Sequence, residues 1–268
     1  EMAVVVRSVS LALPALRRAF RSAGVPLTTP TTDIPLHRQR AVIALMLTLR
    51  VVAARSGDAT AALDVDEVVT LLSGPIGGAD PGSMRRLRRG VRRVADAQSS
   101  DVDSLLLLRR LILEPDVAQR FLSELTDAES VPLRRVLDVV DRAHATHIAR
   151  RPVEETLWTA WAATGLDRRW AASALRGGPT GEQADRDLDA VIAMFEAAAD
   201  FTDNLPASGP EAFVHYLSQL QIPRESRSTA ARSESVTLLS AHAAAGREWE
   251  VVAVAGVLDG IWPSLRSR

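Results

Sequence analysis

SVTLLSAHAAAGREWEVVAVAGVLDGIWP, residues 235–263, is the stretch on which the reading of this chain turns. It contains two short apolar runs, 236–239 and 251–255, each with the length and composition of a buried strand. Between them stand Ser240, Ala241 and His242, then three alanines, then Gly246, Arg247, Glu248 and Trp249. A polar cluster at the end of a buried strand is where open α/β sheets place their ligand sites. The second run leaves through Gly256, Asp259 and Gly260 and stops at Trp262 and Pro263.

The other end of the chain carries a matching pattern. An apolar run at 2–6 is followed by Arg7 and Ser8. Leu13, Leu16, Ala19, Phe20 and Ala23 then recur at helical spacing, with Arg17, Arg18 and Arg21 on the opposite face and Gly24 placed as a C-terminal cap. Residues 25–28 resume an extended pattern, which makes a strand–helix–strand unit. From residue 33 strand patterns disappear. Helical periodicity is read at 35–55, 65–72, 82–97, 103–113, 117–125, 132–149, 153–163, 166–175, 182–204 and 210–221. Asp80 before Pro81, Ser130 before Pro132 and Ser208 before Pro210 read as helix starts. Residues 224–235 are polar and unpatterned, as a linker is. The expected fold is α/β at the two chain ends, in one parallel sheet, with a large all-α insertion; the chain is predominantly helical.

Composition narrows the function classes. All 32 basic residues are arginine, so a phosphate-binding loop that needs lysine cannot form, and lysine Schiff-base chemistry is excluded. There is no cysteine, hence no disulfide, thiol nucleophile or cysteine-based metal site. The formal net charge is −1, so any surface for nucleic acid must be local. No apolar run has the length of a membrane span, and a cytoplasmic protein is expected.

Residues 235–263 resemble the fifth motif of superfamily 1 DNA helicases of the UvrD/RecB group. That motif has the form Thr-x-His-x-x-Lys-Gly-Leu-Glu-aromatic-Asp, then an apolar strand, then Gly-x-x-(Asp/Glu)-Gly-x-x-Pro. Ser240 stands for the Thr, and His242, Gly246, Glu248, Trp249, Gly256, Asp259, Gly260 and Pro263 match. Ala245 replaces the Lys and Arg247 the Leu. The His-x-x-x-Gly-Arg-Glu-Trp variant is most similar to the AdnA-type subunit of actinobacterial AdnAB helicase–nucleases. Residues 4–8 resemble the fourth motif, with Arg7 and Ser8 matching. The motif's final Arg falls on Leu13, so either Arg17 or Arg18 substitutes from the next turn or the contact is absent.

The resemblance implies that residues 1–32 and 233–268 belong to the second RecA-like domain and 33–232 to its helical insertion. It implies a fragment of an ATP-dependent 3′-to-5′ helicase or translocase acting in double-strand-break repair and recombination, beside a nuclease domain. ATP and Mg²⁺ serve the intact protein, with neither expected on this chain alone. The implied partners are single- and double-stranded DNA, the remaining helicase domains and a second helicase–nuclease subunit. The chain ends read as those of a truncated polypeptide. The rival reading is a non-catalytic helical interaction or scaffold subunit with degenerate helicase ends.

Site residues follow from the same match. Ser240 and His242 are expected on the DNA phosphate backbone, where such contacts position the strand without reading sequence. Glu248 is expected on the nucleotide ribose, with Gly246 and Arg7 in the nucleotide set. Independently of the resemblance, Arg85, Arg88, Arg89 and Arg92 fall along one side of a predicted helix that also carries Arg86 and Arg93. They read equally as a duplex phosphate track or as a solvated face. His144 and His147 stand three apart near Glu154 and Glu155, but no third metal ligand is placed, so a structural role is favoured. Trp158, Trp161 and Trp170 are expected in the core rather than stacked on bases.

Overall fold

The computed structural model describes residues 2–7, 9–28, 35–97, 102–220, 235–257 and 262. Ser8, Asp33, the greater part of the expected linker, and Asp259, Gly260 and Pro263 of the helicase-like motif lie outside the described residues. So do the side chains of Leu13, Arg17, Arg21 and His242. The chain divides into two compact units, 1–34 with 223–268, and 35–222. It is predominantly helical, with a small parallel sheet built from the two chain ends.

The first unit is that sheet. Strands β1 (Met2–Val6), β2 (Leu27–Thr28), β3 (Val236–Ser240) and β4 (Val251–Val254) lie in the order β2-β3-β1-β4. All pairings are parallel. Val4 pairs with Leu238 and Val6 with Ser240, across most of the length of the chain. Alternation in β1 sends Val4 and Val6 to one face, where Val236 and Leu238 join them beneath Ala12, Leu16 and Phe20 of helix α1 (Val9–Ser22). Ala3, Val5 and Leu239 fill the other face, against Ala244, Trp249 and Trp262. Gly24, at φ 68°, ends α1: the Val25 N–H reaches back to the Phe20 carbonyl at 2.9 Å. Ala19 and Ala23, expected on the buried face of α1, are exposed. The face that meets the sheet is narrower than the sequence pattern, centred on Leu16 and Phe20.

One expectation fails clearly here. Residues 251–255 read as a buried strand, yet every residue of β4 is exposed. Position explains it: among the described residues β4 is the edge of the sheet, bonded to β1 alone, and Val251, Val252 and Val254 are 48–56% exposed.

The second unit is helical. Its helices are α2 (Arg40–Arg55), α3 (Val65–Ser73), α4 (Pro81–Ala97), α5 (Ser104–Leu113), α6 (Pro115–Glu124), α7 (Asp127–Ile148), α8 (Val153–Thr164), α9 (Leu166–Arg176), α10 (Gly178–Asn204) and α11 (Pro210–Gln219). Helix α2 is apolar nearly all round and forms the axis of the core, touching α3, α5, α7, α8, α10 and α11. Val42, Leu45, Leu49 and Val52 on α2 are fully buried. Arg55, at the end of α2, donates twice to the Ile112 carbonyl that closes α5, at 2.8 and 2.6 Å, and pairs with Asp141 of α7 at 2.6 Å. At the other end Arg40 grips Asp187 of α10, a buried carboxylate that Gln183 also meets at 3.0 Å.

Two helix starts differ from expectation. Helix α7 begins at Asp127 rather than at Pro132, because Thr126 and Glu129 close a capping box ahead of it; Pro132 is buried inside the helix. Before α11 it is Gly209, not Ser208, that holds the N-cap position. Asp80 does cap α4, accepting from the N–H groups of Gly82 and Ser83 at 2.7 and 2.8 Å. Those N–H groups, Ser83 first, hold its carboxyl below the usual range.

Candidate nucleic-acid and nucleotide sites

Parallel strands end on the same edge of a sheet, so topology brings the chain-end residues together. Val6 stands level with Ser240 on adjacent strands about 4.8 Å apart, so Arg7, just beyond β1, lies near Ser240 at the carboxyl edge. His242 follows within the single-turn helix α12 (Ala241–Ala244). This edge is where ligands bind in open parallel sheets.

The chain then crosses to the opposite edge, since β4 runs parallel to β3 and Val251 stands level with Met2. Gly246 makes the turn at φ 80°, with the Arg247 N–H bonded to the Ala244 carbonyl at 3.2 Å. No atom crowds the position of a Cβ there, so backbone conformation alone favours glycine. Trp249 is half-buried against Ala3, Val5 and Leu239 and pins the crossover to the sheet. Glu248 is exposed and stands three residues before β4, at the end of the crossover and towards the amino edge of the sheet. Strand β3 is about 13 Å long at its usual rise, so Glu248 and Ser240 serve two places rather than one pocket.

In the helical unit α4 carries the basic run. Leu87, Val91 and Val94 are buried, as expected, and Gly90 lets the helix approach the start of α7. A methyl group at Gly90 would come within 2.7 Å of Leu125 Cδ2 and 2.8 Å of Glu129 Cδ. The six arginines divide into two sets. Arg88 is half-buried and donates to the Ser104 hydroxyl at 3.1 Å, in the seam with α5. Arg93 pairs with Glu129 at 2.9 Å and donates to the Glu124 carbonyl at 3.3 Å. Arg86 lies within reach of the Asp80 carboxylate. Arg85, Arg89 and Arg92 are exposed and pair with no carboxylate among the described residues. Their spacing of four and three makes a single stripe about 10 Å long.

The remaining candidates settle more simply. Among the described residues no group of three His, Cys, Asp or Glu is placed to hold a metal ion. Burial pushes the His144 and His147 imidazoles below their usual value, Arg55 adding to the effect at His144, whose Nε2 is buried with no hydrogen-bond partner among the described residues. Glu155 pairs with Arg151 at 2.7 Å instead. Trp161 and Trp170 are buried, with ring centroids 5.6 Å apart. Trp158 departs from the core expectation and is 61% exposed. No helix among the described residues is long and apolar enough to cross a membrane.

No protein-family model matches this chain, and no curated protein matches it.

Proposed function

We propose that this chain is part of the second RecA-like domain of a UvrD/RecB-type superfamily 1 DNA helicase, together with that domain's helical insertion. The observation that carries the reading is the direct parallel pairing of β1 with β3. Two motif-bearing ends, separated by a helical unit of residues 35–222, form one sheet with Arg7 and Ser240 on its carboxyl edge. A single strand of DNA crosses that edge, its phosphates taking hydrogen bonds from the Ser240 hydroxyl and the His242 imidazole. Such contacts hold a moving strand without regard to its sequence.

ATP is the substrate of the intact motor. Glu248, exposed and with no ion-pair partner among the described residues, accepts from the ribose hydroxyls, just beyond the Gly246 turn. The resemblance assigns Arg7 to the nucleotide as well, but Arg7 stands at the other edge of the sheet, beside Ser240. The phosphate-loop lysine and the Mg²⁺ ligands come from the rest of the protein, so this chain alone hydrolyses no ATP. In the helical insertion Arg85, Arg89 and Arg92 track duplex phosphates, while Arg88 serves the seam with α5. The intact protein works in the cytoplasm in double-strand-break repair, beside a second helicase–nuclease subunit.

The test is single-strand affinity. The Ser240→Ala, His242→Ala double variant loses two phosphate donors and is expected to weaken binding of a fluorescent oligonucleotide about tenfold or more, equally for all sequences. Unchanged affinity would remove the carboxyl edge from the DNA path.

A further inference from the structure

Charge is segregated within the helical unit. Helix α4 holds six arginines and one acid, whereas α8 and α10 together hold one arginine and eight acids besides Asp187, which is buried against Arg40, in a chain with a formal net charge of −1. The two regions do not meet: α4 packs on α5, α6 and α7, and α10 on α2, α8, α9 and α11.

The acidic region has an apolar centre. Trp158 on α8 and Ile192 on α10 are 61% and 55% exposed and lie on neighbouring helices, so they form a patch rather than scattered single residues. Phe195, one turn beyond Ile192, meets Trp158 edge to face at 5.7 Å and is itself only partly buried. Asp185, Ile192 and Asp203 are spaced by seven and eleven residues, so they share one stripe of α10. Exposed Glu154 lies one turn from Trp158 on α8.

We infer that the α8–α10 face, centred on Trp158, Ile192 and Phe195, docks a cationic amphipathic helix of a partner protein. Two adjacent helices with apolar side chains at one-turn spacing suit a helix whose own anchors recur at three and four residues. The acidic flanks select arginine or lysine beside those anchors and repel nucleic acid, so this face is separate in kind from the stripe on α4. A second copy of the chain is a poor occupant. Its basic amphipathic helices, α4 and α1, have their apolar sides already engaged, Leu87, Val91 and Val94 in the helical core and Leu16 and Phe20 against the sheet. The inference goes beyond the DNA reading and does not depend on it.

The test uses the folded chain and a labelled synthetic helix of leucine and arginine in heptad register, with a scrambled peptide of the same composition as control. The amphipathic peptide is expected to bind about tenfold tighter than the scrambled one, and the Trp158→Ser, Ile192→Ser variant to lose about tenfold of that affinity. An Arg85, Arg89, Arg92→Gln variant should bind it as the parent does. Both serine positions are exposed, and circular dichroism checks the fold; if the serine variant loses helix, Ile192→Asp alone is used. Equal binding of the two peptides, or no loss in the variant, overturns the inference. So does a concentration-dependent dimer that the variant abolishes, which would seat a second copy there. Displacement of the peptide by duplex DNA would likewise overturn it.

Discussion

Replacing Arg85, Arg89 and Arg92 together with glutamine isolates the duplex track from the scaffold that holds it. Each arginine that neutralises a duplex phosphate releases counterions, so three contacts contribute about 2.7 to the slope of log affinity against log salt. Between about 50 and 200 mM salt, a fourfold change, that share alone weakens binding by about 40-fold. The ratio of parent to variant affinity should therefore shrink by about that factor over the same range. Anisotropy titrations of the chain on two duplexes of unrelated sequence measure it, and both should behave alike because the contacts read no bases. Arg88→Gln is the internal control: its guanidinium is engaged with Ser104, so it should move the slope by less than about half a unit. Parallel slopes for the parent and the triple variant would make the stripe a solvated face and refute the reasoning.

Two further predictions concern the scaffold. Asp187→Ala removes a buried carboxylate that joins α10 to Arg40 at the start of α2. Because Arg40 is half in solvent and can turn outward, the cost should lie at the lower end for a broken pair, about 2–3 kcal/mol in urea unfolding. A loss under about 0.5 kcal/mol would deny the pair any structural role. His144 and His147, whose values are lowered by burial, are held neutral in the fold and gain protons more readily on unfolding. Their contribution is present above the unfolded value near 6.5 and is lost as the pH falls below it. Unfolding midpoints should therefore drop from pH 7.5 to pH 5.5, and drop less in a His144→Asn, His147→Asn variant; an identical drop would clear the histidines.

What could be read from the sequence was what neighbours in the chain decide. The strands at the two ends stood out because four or five apolar residues are followed directly by polar ones, and the Asp80 cap because it precedes Pro81. The early start of α7 was also present locally, as Thr126 and Glu129 at capping-box spacing, but Pro132 drew the boundary to itself. Features set by distant partners were not legible. The division of the six arginines depends on Ser104 and Glu129, which come from α5 and α7. The burial of Asp187 depends on Arg40, at the far end of the helical unit. The exposure of β4 depends on sheet order, which an apolar run does not encode. At the candidate site, the residue types were legible and their separation was not. Gly246, Glu248 and Ser240 are close in sequence, yet the crossover between parallel strands carries Glu248 away from the edge that holds Ser240.

The central claim, that the carboxyl edge of the end-built sheet lies on a DNA path, is open to direct mapping. A bromodeoxyuridine-substituted single strand, irradiated with the folded chain, leaves covalent adducts on the residues it touches. Tryptic cleavage after Arg232 and Arg247 releases residues 233–247, which hold β3, Ser240 and His242 on one peptide. The account predicts adducts on that peptide, lost on addition of excess unlabelled strand and reduced in the Ser240→Ala, His242→Ala variant. Adducts confined to other peptides, or none above the unirradiated control, would contradict it.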